Sequence, residues 1–267
     1  WLSLKIIHVC LCGPVTDGWS YQDNLLPKYH SSLGHDVGII ASEWIYDTDG
    51  KLVRSERSNY INENGLKQIR LRSKYGTNVH SKFRFYHGLT SALNDAQPDI
   101  IFVHGCQFPG IKEIVDYFKK HPGVRTYVDN HADFSNSASN WLSKYILHGL
   151  LWRFCAQKIE PYTTKFYGVL PARVDFLAEM YDLPRDKIEL LVMGADDELV
   201  AAAKCQEVRN TIREKYGISE DDFLIITGGK IDGAKKQTLL LMEAYKSGQN
   251  KFVGIDHIYV FFCNVVV

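Results

Sequence analysis

The chain has 267 residues, with 31 Lys+Arg balancing 31 Asp+Glu, 45% hydrophobic and 12% aromatic residues. Such a composition supplies a packed core and excludes wholesale disorder, and a formal net charge of zero removes the electrostatic case for a dedicated nucleic-acid binder. No apolar run reaches the ~18 residues of a membrane-spanning helix, so one large or two smaller globular domains are expected.

The opening Trp1-Leu2-Ser3-Leu4 carries no basic leader, which predicts the absence of a signal peptide, and the lack of an initiator Met suggests a trimmed or partial end. Cysteines stand at 10, 12, 106, 155, 205 and 263. No two pairs have zinc-ligand spacing, so buried, reduced thiols in a cytoplasmic protein are expected, with no metal.

In chain order, Lys5 to Cys12 (KIIHVCLC) reads as a buried first strand ended by Gly13-Pro14. Tyr21 to Leu33 suits a helix closed by Gly34, and His35 to Ser42 a second strand. Between Trp44 and Arg72 the pattern is irregular, and the turn signals Asp49-Gly50 and Asn64-Gly65 predict a hairpin-like insertion. A helix over Lys82 to Leu93 precedes Pro98-Asp99 and a third core strand, IIFVHG. Ile111 to Lys120 follows as a helix, then Arg125 to Asp129 as a fourth strand and the polar loop NHADFSNSASN. Trp141 to Ala156 is strongly apolar and reads as a core helix rather than an interfacial one. Lys165 to Leu170, Arg173 to Tyr181 and Ile188 to Met193 read as strand, helix and strand.

The pattern changes near Asp196. Glu198 to Tyr216 is charged and helical, FLIITGG opens a new strand–helix unit, and His257 to Val267 is strand-like. Alternating strands and helices predict an α/β protein with Rossmann-like units. A domain over residues 1–200 and a second over 201–267 are expected, the second too short to stand complete.

Four features carry candidate chemistry. The first is Gly228-Gly229-Lys230-Ile231-Asp232-Gly233-Ala234-Lys235-Lys236, where a strand leads through glycines to a helix start. Glycines admit a ligand to the backbone, the helix N-terminus offers free N–H groups, and Lys230 with Lys235 or Lys236 adds charge, which suits a diphosphate. An ordinary solvated turn has the same appearance, and neither standard nucleotide fingerprint fits. The second is Asp129-Asn130-His131-Ala132-Asp133 after a core strand, where open α/β sheets place ligands. His131 could donate to a substrate oxygen with Asp129 orienting it; a structural loop histidine, or a metal-dependent hydrolase built on Asp129, His131 and Asp133, is the alternative. The third is the turn from Gly13 to Trp19, including Gly18. The fourth is the basic, aromatic stretch from Asn64 to Asn94, with Arg70, Arg72 and Lys74, which could meet an anionic membrane surface or be a solvated face over core aromatics.

The order of these motifs resembles a GT-B glycosyltransferase of family 4. Residues 5–42 are similar to that family's opening strand, Gly-containing loop and helix ending in Leu33-Gly34-His35, while Met193-Gly194-Ala195-Asp196 stands where the family has Asn-Gly-Val-Asp at its hinge. Residues 209–245 resemble the start of its donor domain. The resemblance implies two Rossmann-like domains across a cleft and metal- and cofactor-independent glycosyl transfer with retention. Its partners would be a nucleoside diphosphate sugar and a glycan or lipid-linked acceptor. By the same resemblance Lys230, Lys235 and Gly229 would meet the donor diphosphate, His131 would sit near the donor sugar, and Gly18 would line the cleft. The family's late glutamate pair has no counterpart before Val267, so the chain is expected to stop within its donor domain and to be incompetent alone. A location in the cytoplasm, peripheral to a membrane, is expected. A non-catalytic module that engages acceptor or membrane is the competing reading.

Overall fold

Runs rich in Ile, Val and Phe, each bounded by Gly, Pro or polar residues, become parallel strands here because helices on both faces bury them on both sides. The computed structural model describes residues 3–76, 83–138, 140–229, 237–248 and 258–264. By internal contacts the chain forms two units, Trp1–Asp47 with Leu52–Gly194, and Thr48–Lys51 with Ala195–Val267.

The strands of the first unit's main sheet are β1 (Lys5–Cys10), β2 (Asp36–Ser42), β5 (Asn59–Ile61), β6 (Lys67–Leu71), β7 (Ile100–His104), β8 (Arg125–Asn130), β9 (Lys165–Gly168) and β10 (Ile188–Leu190); β3 (Trp44–Tyr46) and β4 (Leu52–Arg54) form a separate antiparallel hairpin. The sheet order is β10-β9-β8-β7-β1-β2-β6-β5, parallel throughout except for the β5–β6 pair. Winding therefore runs outward in two directions from β1, which pairs with β2 on one side and β7 on the other. Loops after β1 and β7 diverge at that point.

Helices α1 (Gln22–Ser32), α2 (Leu89–Ala96), α3 (Ile111–Lys120), α4 (Arg153–Ile159) and α5 (Pro171–Tyr181) cover the sheet. One core gathers Val9, Leu11, Ile101, Val103, Val128, Phe166 and Phe176, and a smaller one on the other face gathers Ile6, Cys10, Val15, Val37 and Ile39. Gly168, the last residue of β9, is required by close approach: a Cβ there would lie 2.4 Å from the Val174 amide nitrogen of α5.

Several expectations shift. Strand β1 stops at Cys10 and leaves Leu11 and Cys12 in the loop. Both turn signals make hairpins, β3–β4 and β5–β6, but β6 also joins the main sheet beside β2, so the insertion contributes a core strand. The helix expected from Lys82 starts at Leu89, because Gly88 at φ +88° breaks the winding; residues 77–82 lie outside the described residues. The expected Glu198–Tyr216 helix is two, α6 (Asp197–Ala203) and α7 (Gln206–Lys215). The Asp196 carboxylate caps α6, accepting from the amides of Glu198 and Leu199. Among the described cysteines all are free, but Cys205 is exposed. Trp141–Ala156 is not an ordinary core helix. Leu142–Trp152 is wound as a π-helix that runs into α4, and one face lies open to solvent.

In the second unit, β11 (Phe223–Gly229) pairs in parallel with β12 (Ile258–Asn264), and α8 (Gln237–Gly248) lies between them in sequence. The two units divide after Gly194.

Arg70 does not present its charge to solvent. It is buried on β6, its Nη2 donates to Asp17 Oδ1 (2.8 Å), its Nε to the Tyr60 hydroxyl (2.8 Å) and its Nη1 to the Ser42 carbonyl (3.1 Å). Arg57, Tyr60 and Gln68 also donate to Asp17, so this carboxylate pins the loop after β1. Arg72 and Lys74 are exposed. Arg70→Gln should therefore lower the unfolding free energy by about 3–5 kcal/mol, as for other broken buried pairs. Arg72→Gln and Lys74→Gln should stay within about 0.5 kcal/mol. Urea unfolding monitored by circular dichroism checks both.

Candidate functional site

A cavity of about 570 Å³ opens at the carboxyl ends of β1, β7, β8 and β9, the place where open α/β sheets bind ligands. Tyr21, Gln22 and Asp23 from the start of α1 form one wall, His104, Gly105 and Gln107 a second, and His131, Leu170 and Arg173 a third. Gly105 stands at the point of divergence with φ +82°, and a Cβ there would meet Gln107 Oε1 at 2.7 Å and Cys12 Sγ at 2.8 Å. Only glycine lets the two loops part so closely.

The cavity floor is a chain of buried polar groups. His104 Nδ1 sits 2.9 Å from Asp23 Oδ1 and 3.0 Å from Asp129 Oδ2, between two carboxylates and aligned as a hydrogen bond with neither. Its Nε2 is 2.9 Å from His8 Nδ1, and His8 Nε2 is 3.0 Å from His30 Nδ1. Burial alone would push His104 toward neutrality. The Cys10, Asp129 and Asp23 groups around it win and raise its pKa well above the usual value. Burial likewise opposes charge on Asp129, but His104 and His131 hold it below the usual carboxylate range. Burial and the two neighbouring imidazoles keep His8 neutral, and burial lowers His30 to about 4. One arrangement satisfies all of these: an imidazolium at His104 donates to His8, which donates to His30.

Of the residues expected from sequence, Asp129 and His131 come together at this cavity. His131 Nε2 is 3.5 Å from Asp129 Oδ2, and its side chain is 40% exposed. Gln22 Nε2 donates to the same oxygen at 3.2 Å. Asp133 is committed to its own loop, accepting from the amides of Ser135 and Asn136 and pairing with Arg173 Nε at 3.3 Å. The Gly18 amide donates to Glu63 Oε1 at 2.8 Å. Gly229 closes β11; Lys230, Lys235 and Lys236 lie outside the described residues.

His8, Asp23 and His104 escaped the sequence reading. The available signal was a histidine inside KIIHVC and another ending IIFVH, two polar residues in strands otherwise apolar. Among the described residues, donor atoms of Cys10, Asp23 and His104 lie within 4.8 Å of one another, a spacing that could hold a metal ion. Protonated His104 already supplies positive charge there, and burial pushes the Cys10 thiol up to about 11. Asp129, His131 and Asp133 form no such group among the described residues, so the hydrolase alternative loses its donor set.

Behind the cavity, Gln107 Nε2 donates to Asn130 Oδ1 (2.8 Å) and to the Tyr181 hydroxyl (3.2 Å), which lies 2.8 Å from His148 Nδ1. The wall carrying Gln107 is thereby locked to β8 and α5.

No protein-family model matches the sequence, and comparison with curated proteins finds no match. Solved structures do match in fold. A glycosyltransferase from Rickettsia africae ESF-5 superposes with a TM-score of 0.55 at 14% identity, over 99% of this chain and 69% of that one. The catalytic domain of starch synthase IV from Arabidopsis thaliana, bound to ADP and acarbose, gives 0.57 at 15% identity, over 99% and 75%. UDP-GlcNAc 2-epimerase from Neisseria meningitidis, bound to UDP-GlcNAc, gives 0.50 at 13% identity, over 97% and 66%. The fold is thus of the GT-B type, with Rossmann-like units. Epimerase and transferases share it, so the fold alone does not assign the reaction.

His104→Gln removes the nearest cationic partner of buried Asp129, which should cost about 3–5 kcal/mol near neutral pH, and adding Asp129→Asn should recover part of the loss. The sign of the pH dependence follows from the shifts. His104, raised in the folded state, stabilises fully below about pH 6.5 and loses its effect as pH rises through its folded value. Asp129, lowered, stabilises above about pH 4 and loses its effect in acid. Urea unfolding from neutral to alkaline pH should show the gap between wild type and His104→Gln narrowing.

Proposed function

We propose that the protein is a glycosyltransferase of the GT-B type that takes its sugar from a nucleoside diphosphate, with the cavity of the first unit receiving the acceptor. One observation carries this reading. Two buried polar atoms at the cavity, Gln22 Oε1 and Asp129 Oδ1, have no hydrogen-bond partner among the described residues. Orphaned buried polar atoms are costly unless a ligand satisfies them. A hydroxyl-rich carbohydrate carries donors and acceptors for such atoms, and the apolar Leu170 and Met193 that also line the cavity suit the face of a sugar ring. The neighbours' bound ADP and UDP-GlcNAc are compatible with a nucleotide-linked donor.

The finer reading rests on the sequence resemblance: family 4, retention at the anomeric carbon, Lys230 and Lys235 beside Gly229 as the diphosphate contacts, and a glycan or lipid-linked acceptor. Charge grows on the departing diphosphate as the sugar–phosphate bond breaks, and fixed ammonium groups would stabilise that state above the ground state. His131, carrying the partly open imidazole at the cavity mouth, would meet the transferred sugar.

Isothermal titration with UDP-, ADP- and GDP-linked sugars, followed by transfer assays on saccharide acceptors, tests the proposal. Lys230→Ala and Lys235→Ala should each weaken donor turnover by roughly a hundredfold, the typical effect of removing one preorganised charge-stabilising donor. His131→Ala should abolish most transfer with the melting temperature unchanged. Saturation-transfer NMR with mono- and disaccharides should show contact that Gln22→Ala reduces; absence of both donor and saccharide binding overturns the reading.

A further inference from the structure

The helical stretch from Trp141 to Ile159 is two-faced. His148, Trp152, Cys155, Ala156 and Ile159 point into the core. Outward stand Trp141, Leu142, Tyr145, Ile146, Leu150 and Phe154, with Trp141, Leu150 and Phe154 at 68%, 64% and 61% exposure. The outward set recurs every four to five residues, which matches the wider i→i+5 winding of Leu142–Trp152 and keeps one face aligned over successive turns. Contiguous exposed apolar patches of this kind mark interaction sites.

Within the segment itself the charged residues are all basic, although Asp182 neutralises one of them, Arg153. Between Asp133 and Glu160 the sequence has no acidic residue, while Lys144, Arg153 and Lys158 border the apolar strip. Lys144 Nζ lies 5.5 Å over the Phe134 ring and 5.4 Å over that of Tyr145, and Lys158 Nζ lies 5.2 Å over Phe154. Arg153 pairs with Asp182 at 2.6 Å. A second copy docked on this face would set lysines against lysines with no acidic residue on the strip to neutralise them. Trp, Tyr, Leu and Phe rimmed by lysine is instead the composition of a helix lying in a lipid interface. Among the described residues no helix is long and apolar enough to cross a membrane, so contact would be with its surface.

We propose that the open face of residues 141–158 docks the protein on an anionic lipid bilayer. This surface differs from the basic stretch around Arg70, Arg72 and Lys74, of which Arg70 is buried in the Asp17 cluster. Docking stands apart from the transfer reaction, and its test reads no catalysis, so either reading can fail without the other.

Flotation with phosphatidylcholine vesicles, with and without phosphatidylglycerol, tests the proposal on the intact chain. Binding should require the anionic lipid and weaken with salt. The double variant Leu150→Ser/Phe154→Ser should bind roughly tenfold or more weakly, and Lys144→Gln/Lys158→Gln should do the same and lose most of the salt dependence. All four side chains are wholly or partly exposed, and a circular-dichroism melt should show both variants folded. Arg72→Gln/Lys74→Gln should leave binding unchanged. Absence of binding to anionic vesicles, equal binding by the variants, or a wild-type dimer that Leu150→Ser/Phe154→Ser dissociates in sedimentation velocity overturns the proposal.

Discussion

The imidazolium of His104, held between Asp23 and Asp129, is the constraint on which the first unit's geometry rests. It ties three elements together, the end of β7, the end of β8 and the first turn of α1. The two buried charges, on His104 and Asp129, persist only as a pair, since either would be strongly disfavoured alone. Neutral His8 and His30 behind it complete a hydrogen-bonded line that fixes the orientation of the ring.

Topology explains why this cluster sits where it does. Chain reversal about β1 opens a crevice at the carboxyl ends of the central strands, and glycine at 105 keeps its mouth narrow. On one side the Asp17 cluster stiffens the loop after β1; on the other the Gln107–Tyr181–His148 line stiffens the loop after β7. A cavity walled by fixed loops loses little freedom when it takes up a ligand, which favours recognition of a defined shape.

Much of this was legible from residue order. The parallel strands announced themselves as apolar runs, and Asn64-Gly65 and Asp49-Gly50 marked real hairpins. Asp129 and His131 were legible because a polar D-x-H follows a core strand. Less legible were features that depend on partners distant in sequence. Asp23 meets His104 across eighty-one residues, and Arg70 looks like a surface cation until Asp17, fifty-three residues away, claims it. The Trp141–Ala156 segment misled because apolar content signals burial, while the winding that turns half of it outward has no compositional mark.

The main sheet ends on two strands of only three residues each, β10 and β5. Strands so short offer little backbone template for edge-to-edge pairing, which limits amyloid-like accretion of one molecule onto another. For the main sheet, then, sociability falls to side-chain surfaces, where it can be tuned residue by residue without disturbing the hydrogen-bonded ladder.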